Sequence, residues 1–416
     1  MNVEVINTGT EILLGSVINT HVATLAQGLF PLGLRIERQI TVPDGDAIRE
    51  ALVVALARSE IVIVTGGLGP TTDDITREIT AELLGRPLRH SDEVMSCIAT
   101  RFARFELTVT ERVARQAQVP EGAVVLPNDN GTAPGLYLTC ESAGRTVHLF
   151  LLPGPPRELK PMFEQSVLPI LRRLVPGTVA VNECRVYHVL GMGESNVEAL
   201  VGEPLLAIPG LELGYCARPG EVDIRCIGPA SVVEAAEKVV LQALGERIVT
   251  RDGRNLEQTV VETLIQRKET LVTAESCTGG GLANRITNIS GASAVFLAGY
   301  VTYANEAKTH DLGVDASLLA AHGAVSPEVA AAMAEGALRR AGADWALSTT
   351  GIAGPTGGTP TKPLGTLCIA LARRNGPTAV EQHRFFRDRE LFKDLAARTA
   401  LALLLRAWNE NMDDQS

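Results

Sequence analysis

The sequence predicts an α/β protein of more than one domain, on three observations. At 416 residues, the chain exceeds the size at which a single hydrophobic core keeps growing. Short apolar runs that end in glycines, such as "VEVINTG" and "IVIVTGGLGP", alternate with stretches of helical periodicity. These runs lack in–out alternation, which is how parallel strands buried on both faces read, and ligands of such sheets lie beyond the strands' carboxyl ends.

The elements follow in order. In residues 1–170, "VEVINTG" reads as a first strand, and "NTHVATLAQGLFPLG" then brings Val22, Leu25, Ala26 and Leu29 onto one helical face. "IVIVTGGLGP" is a second buried strand, and "LLPGPPRELK" follows another. Residues 171–252 change texture: "CRVYHVLGMGES", "LELGYCARPGEVDIRCIG" and "ASVVEAAEKVVLQALGERI" suggest a small α+β module with an antiparallel sheet. Its polar residues form no chemical cluster, so a connecting or packing role is expected. Residues 253–416 return to the α/β rhythm. The last helix, "ELFKDLAARTALALLLRAW", is apolar enough to be buried or to supply a subunit contact, and "NENMDDQS" reads as a frayed polar tail.

Composition bounds the function. Seven cysteines at 97, 140, 184, 216, 226, 277 and 368 stand singly, which fits reduced thiols rather than a disulfide framework or a CxxC metal site. The start "MNVEVINTG" has no basic region or signal-like core, and no run of about 18 apolar residues is free of charges or turn residues. A cytoplasmic protein with no membrane partner is therefore expected. A formal net charge of −10 argues against a general nucleic-acid surface.

In "VTGGLGPTTDDITREIT", Gly66, Gly67 and Gly69 let the main chain turn tightly and bring its N–H groups to an anion. Thr71 and Thr72 follow, and Thr72, Asp73 or Asp74 could cap the next helix. Two adjacent carboxylates repel a bare phosphate, so a divalent cation such as Mg²⁺ is inferred to bridge them. The plain alternative is that Asp73 and Asp74 are only cap and first-turn residues of that helix. Thr8, Gly9, Thr10 and Glu11 of "NTGTEILLG" and the segment around Gly154 add polar groups after two other strands, so the three turns point to one shared pocket. None matches GxxxxGK[ST] or a properly placed GxGxxG, so ATPase and dinucleotide-fold readings fall.

In the rear segment, "AESCTGG" puts Ser276 and Cys277 between an apparent strand and a glycine-led helix with Gly279 and Gly280. A serine hydroxyl needs a base. Lys308 of "YANEAK", if buried, could lose its proton readily enough to serve; His310 and His322 are further options. Residue chemistry alone leaves Ser276 and Cys277 both open as nucleophile, although a lone cysteine after a strand is more often a small buried hydrophobe. "STTGIAGPTGGTPTKPLGT" carries so much Gly, Thr and Pro, with Gly354, Gly357 and Gly358 among them, that it reads as a shaped loop rich in backbone donors.

Along nearly its full length the sequence resembles the CinA family of competence/damage-inducible proteins. "NTGTEILLG", "TGGLGPTTDDITRE" and "LPGPPRE" are similar to the MoaB/MogA-like molybdopterin-binding fold; "AESCTGG", "YANEAK", "GAVSPEVA" and "TTGIAGPTGGTPTKPLG" are similar to nicotinamide mononucleotide (NMN) deamidases. The middle segment resembles a KH-like module through "GMGES". The resemblance thus implies a three-layer MoaB/MogA-like domain over 1–170, a KH-like module with linker over 171–252 and a deamidase domain over 253–416. It implies Ser276 as nucleophile, Lys308 as base, Tyr303 as an orienting or relay group and Thr350 lining the site, with no cofactor for the amidase. Amides around Thr278 to Gly280 are expected to hold the oxyanion, and the glycine-rich loop, Arg387 or Arg389 the 5′-phosphate. For the front domain it implies metal-dependent ADP-ribose pyrophosphatase activity with Asp73, Asp74 and Asp44 as metal ligands. Two positions depart from the family's commoner forms, Pro43 in "VPDG" and His21 in "NTHVATLA". The alternative is a front module that binds a pterin or nucleotide without chemistry and serves competence or recombination; a wholly structural protein is a third reading. A homodimer is expected on general frequency and on the apolar last helix.

Overall fold

A computed structural model describes the chain except residues 176–181, 219, 386–387 and 414–416, together with the side chains of 246 and 409–413. It divides into two compact units, Met1–Asn182 and Glu183–Ser416.

Unit 1 is built on a six-stranded sheet, with β1 (Val3–Thr8), β2 (Ile36–Val42), β3 (Ile61–Thr65), β6 (Val124–Leu126), β7 (Gly135–Ser142) and β8 (Arg145–Leu152) in the order β2-β1-β3-β8-β7-β6. A separate ribbon pairs β4 (Leu88–His90) with β5 (Gln118–Pro120). The first four sheet strands run parallel, and β7 and β6 turn antiparallel. The strands show why the sheet sits between two helical layers. In β3, Val62 and Val64 join one core with Ile48 and Leu52 of the helix Asp46–Arg58, while Ile61 and Ile63 join another with Leu25, Leu29 and Phe163. Both faces are buried, so period two is invisible in the sequence. As expected, the helix His21–Leu29 buries Leu25 and Leu29; Val22 and Ala26 lie at its margin.

Unit 2 holds two sheets. β9 (Glu183–Leu190), β10 (Glu212–Arg218), β11 (Glu221–Gly228) and β12 (Ile248–Thr250) form an antiparallel sheet in the order β10-β11-β9-β12. The helices Glu194–Leu206 and Ala230–Leu244 bury Val197, Val201, Ala236 and Val240 against it.

The second sheet carries β13 (Leu271–Glu275), β14 (Phe296–Val301), β15 (Trp345–Gly351), β16 (Thr366–Arg373) and β17 (Ala379–Arg384) in the order β14-β13-β15-β16-β17. β14, β13 and β15 are parallel, and the last two strands antiparallel. One face packs the helices Leu256–Arg267 and Arg389–Asp413, the other the helix Pro327–Ala341. The last helix buries Phe392, Leu401, Leu404 and Trp408 inside its own unit. Its apolar residues are thus core of this chain, and the expected subunit contact loses them as an argument. Among the described residues, no helix is long and apolar enough to cross a membrane.

Candidate functional site

The rear site stands at the carboxyl end of β13, the central parallel strand. The strand's backbone is held on both sides up to the site: Ser276 N donates to Thr349 O at 2.8 Å, and Thr302 N to Glu275 O at 2.8 Å. Lys308 comes from the first turn of the helix Asn305–Leu312. Its stem folds back toward the helix start, the direction helical side chains take, and the ammonium nitrogen lies 3.2 Å from Ser276 Oγ, 2.7 Å from Thr302 O and 3.3 Å from Tyr303 O. Only 1 % of Lys308 is exposed. Burial pushes its pKa below the ordinary lysine range, and a first-turn position disfavours a cation further because the helix N-terminus is itself positive.

Once Lys308 has lost its proton, this geometry assigns those that remain. A neutral lysine has two N–H bonds and one lone pair. The carbonyls of Thr302 and Tyr303 can only accept, so they take the two N–H groups, and the lone pair is left for the Ser276 hydroxyl.

Cys277 does not compete. It is 5 % exposed within the core formed with Leu282, Leu367 and Phe392, and burial pushes its thiol up to about 12. A thiol that stays protonated near neutral pH is no nucleophile.

Glu275 carries a role that the sequence reading missed. Its fully buried carboxylate accepts from the amides of Gly280 (2.9 Å), Leu282 (3.1 Å) and Ala283 (2.8 Å), which fixes the turn after Ser276 and caps the helix Gly281–Thr287. The expected oxyanion donors therefore need correcting. Gly280 N belongs to Glu275 and Gly279 N to Ser276 O. Among the described residues, the amides of Cys277 and Thr278 have no acceptor in the chain. A charged residue closing an apolar strand just before a glycine run was the available signal, because a buried carboxylate must find donors. Glu275→Ala leaves three amides unpaired; unit 2 is expected to lose about 3 kcal/mol of stability, measured by urea unfolding, and a loss below about 0.5 kcal/mol would contradict this role.

The other rear residues surround the pair. Tyr303 is exposed, and its hydroxyl accepts from Arg389 Nη2 at 2.8 Å, while Arg389 Nη1 donates to Gly354 O at 2.9 Å. The guanidinium expected on a phosphate instead ties the Gly-Thr-Pro loop to Tyr303. Thr350 is buried and donates its hydroxyl to Ala324 O at 2.7 Å, so it holds the loop before Ser326. Gly357 and Gly358 lie in the same loop, which turns back so that a Cβ at Gly358 would stand 2.9 Å from Leu364 N. Arg387 lies outside the described residues. One turn beyond Arg389, Lys393 reaches the glycine turn, with Nζ 3.7 Å from where a Cβ at Gly279 would be. The sequence reading did not single it out.

In unit 1 the three turns do meet. A cavity of about 650 Å³ is lined by Thr8, Gly9, Glu11, Asp44, Gly66, Gly67, Asp73, Asp74 and Gly154 among others. At Gly66, φ is 100° and a Cβ would stand 2.6 Å from Thr8 O, so this close approach of two strand ends requires glycine. Among the described residues, the amides of Gly67, Leu68 and Gly69 have no acceptor in the chain. Thr10 and Thr71 act on the carboxylates. Asp44 Oδ2 accepts from Thr10 N and Oγ1, both at 3.1 Å; Asp74 Oδ2 accepts from Thr71 N at 2.9 Å and from the Thr71 hydroxyl.

Two further expectations meet corrections or limits here. The helix Thr76–Leu83 starts after Ile75 with no side-chain cap; Asp74 closes the 71–74 loop instead of capping it, because Thr71 offers two donors nearer by. Hydrogen bonds from Thr71 and its own backbone hold the Asp73 carboxyl below the usual range. As for a metal, the oxygens are the hard donors Mg²⁺ prefers, but among the described residues no three His, Cys, Asp or Glu side chains are grouped to hold one. Glu158, the last residue of the turn that begins at Pro153, lines the same cavity as expected of that turn; it is buried, with Oε2 accepting from Asn128 at 2.8 Å. His21 lines the same cavity, and burial lowers its pKa.

The front unit is a layered α/β domain whose strand ends line one cavity, and the C-terminal α/β domain sets a buried lysine beside a half-buried serine; the chain is thus of the class that pairs two α/β domains. Residues 4–173 match the family described as "Probable molybdopterin binding domain", and residues 253–408 match "CinA C-terminal domain". A CinA-like protein of Akkermansia muciniphila is 47 % identical over 407 residues, 98 % of this chain and 97 % of that protein. A CinA-like protein of Kosmotoga olearia is 42 % identical over 415 residues, 98 % and 99 % of the two chains. The crystal structure of competence/damage inducible protein CihA from Agrobacterium tumefaciens is 39 % identical, covering 36 % of this chain and 95 % of that one at a TM-score of 0.35. The chain belongs to the CinA family, with an N-terminal MoaB/MogA-like domain and a C-terminal CinA domain.

Proposed function

We propose that the rear domain hydrolyses the carboxamide of NMN to nicotinate mononucleotide and ammonia. The observation that carries this reading is the approach of a buried lysine amine, with no acid partner among the described residues, to 3.2 Å from the Ser276 hydroxyl. Ser276 Oγ attacks the carboxamide carbon as its proton passes to Lys308 Nζ. The tetrahedral oxyanion faces the amides of Cys277 and Thr278, in a site built before the charge develops. Collapse breaks the C–N bond, and Lys308 returns the proton to the departing ammonia. Water then attacks the ester, again giving its proton to Lys308, and nicotinate mononucleotide leaves as Ser276 is restored. Tyr303, held by Arg389, orients the substrate, and Lys393 beside Gly279 is a cation for the 5′-phosphate. Ammonia release from NMN by the purified full chain tests the reading; no release under any buffer or pH would end it.

For the front domain, the match to a molybdopterin-binding family and the engagement of Asp44 and Asp74 by neighbouring threonines favour a second reading over hydrolysis. In it the cavity binds a pterin or nucleotide and serves an interaction role of the competence or recombination kind. Under the hydrolytic reading, the remaining oxygens of Asp44, Asp73 and Asp74 would hold Mg²⁺, which supplies charge neutralisation at a diphosphate. The binding reading expects calorimetric binding of ADP-ribose with no AMP formed in Mg²⁺, while NMN hydrolysis persists. Metal-dependent AMP formation that is lost in Asp73→Asn would reverse the choice.

A further inference from the structure

Side chains along β13 alternate between two faces of the rear sheet. Val272 and Ala274 pack with Ala298 and Tyr300 of β14 and Ala346 of β15 against the helix Pro327–Ala341. Glu275 and Cys277 point the other way, to the helix Gly281–Thr287 and to the core with Leu282 and Phe392. Ser276 therefore belongs to the first face. Glu275 lies opposite Val301 and Thr349, and the pairing runs one step further, because Thr302 N donates to Glu275 O and Ser276 N to Thr349 O. Thr302, Ser276 and Thr350 thus stand side by side at the carboxyl ends of adjacent parallel strands.

The hydroxyls of this row differ in their partners. That of Ser276 faces Lys308 Nζ at 3.2 Å, and that of Thr350 donates to Ala324 O at 2.7 Å. Thr302 is fully buried, and its hydroxyl has no hydrogen-bond partner among the described residues. A buried hydroxyl left unpaired costs stability, and a valine of nearly the same shape would avoid that cost. Thr76 and Thr273 bury unpaired hydroxyls too, but neither stands in the nucleophile's row. Thr302 does, and its own carbonyl already accepts from Lys308 Nζ at 2.7 Å.

The reaction needs an acceptor at this place. Before attack, the two N–H groups of the amine are taken by the carbonyls of Thr302 and Tyr303, and its lone pair faces Ser276. When Ser276 Oγ bonds to the carboxamide carbon and its proton moves to Nζ, the lysine becomes an ammonium with a third N–H. The oxygen that gave up the proton now carries the substrate's carbon and accepts only weakly, and a buried ammonium with an unused donor is costly. We propose that Thr302 is a positioning residue of the amidase, whose hydroxyl accepts the third N–H of the Lys308 ammonium in both halves of the reaction. It holds the ammonium until the proton passes to the departing ammonia in the first half and to Ser276 Oγ in the second. The proposal rests on the amidase reading of the rear domain and adds the group that steadies the lysine's charge.

Two substitutions separate the hydroxyl from the packing. Thr302→Val keeps the shape and drops the hydroxyl, whereas Thr302→Ser keeps the hydroxyl and drops a methyl. Ammonia release from NMN and thermal unfolding are measured on the full chain and on both variants. Thr302→Val is expected to lower kcat about tenfold to a hundredfold with KM within about threefold, the scale of one hydrogen bond to a charge, while its thermal midpoint equals or exceeds that of the wild type. Thr302→Ser is expected to keep kcat within about threefold although its midpoint falls. A side chain that served packing alone would give the reverse order, with Thr302→Val fully active and Thr302→Ser impaired, and that result would overturn the proposal. If Thr302→Val does not fold, Thr302→Ala is compared with Thr302→Ser, both lacking the methyl: a slower Thr302→Ala supports the role, and equal rates overturn it. A wild-type chain that releases no ammonia would end the amidase reading itself, whereas an active wild type matched by Thr302→Val ends only the role of Thr302.

Discussion

Ser276→Ala is expected to reduce ammonia release from NMN to background, a loss of at least about 10³-fold in kcat, with substrate affinity by calorimetry nearly unchanged. The expectation follows from the single hydroxyl that Lys308 faces. Among the described residues no other oxygen nucleophile is paired with the lysine: Thr350 spends its hydroxyl on Ala324 O, and Thr278 shares a hydrogen bond of 2.7 Å with Thr349. Water could use the lysine directly in the variant, but it would lack the fixed position that a side chain on β13 supplies. The companion variant is Cys277→Ala. Its thiol is core packing, so the amidase should keep most of its rate and the fold should lose the modest stability of a small buried side chain, about 1–2 kcal/mol. If Cys277→Ala were silent in the assay and Ser276→Ala fully active, the pair at 276 and 308 would not be the catalytic one.

How far the sequence carried this picture depends on whether neighbours in space were neighbours in the chain. The glycine turn at 66–69 and the loop at 348–366 announce themselves locally, because only backbone freedom explains so many glycines after a strand. The α/β alternation was equally plain, since continuous runs such as "IVIVT" leave no polar face to expose. The pairing of Ser276 with Lys308 was not legible from residue chemistry. It is created when β14 lies parallel to β13, so that the next helix starts beside the end of β13; residue chemistry offers Lys308 only as one candidate base beside His310 and His322, and the resemblance to a family of deamidases singles it out. Side-chain-to-backbone bonds were the least legible. Asp74, read chiefly as a metal ligand and with Thr72 and Asp73 as one possible helix cap, closes on Thr71; Arg389, one of several groups offered for the phosphate, clasps Gly354 to Tyr303. In each case several donors or acceptors lie within reach, and the fold, not the residue type, chooses among them. The antiparallel middle sheet was readable from its texture, although nothing in its polar residues assigned it a chemical role.

Lys308→Met should lower kcat/KM by about 10²–10⁴-fold, the span of a lost general base, and the pH profile says whether the amine acts as that base. A protonated lysine has no lone pair, so the wild-type rate should rise with pH as the amine deprotonates. Because burial lowers its pKa, that rise is expected at a lower pH than a solvated lysine would give. The same shift bears on stability with a definite sign. Between the lowered folded-state pKa and the ordinary unfolded one, the unfolded chain binds the extra proton, so the lysine's burial cost is fully present below the folded pKa and relieved as pH climbs through this window. Lys308→Arg separates charge from basicity, since a guanidinium stays protonated and can donate but never accept. It should be as slow as Lys308→Met and show no rise with pH. An arginine variant with near-wild-type rate, or a wild-type profile flat across the alkaline range, would mean that position 308 acts as a fixed cation, and the proton route through its lone pair would be wrong.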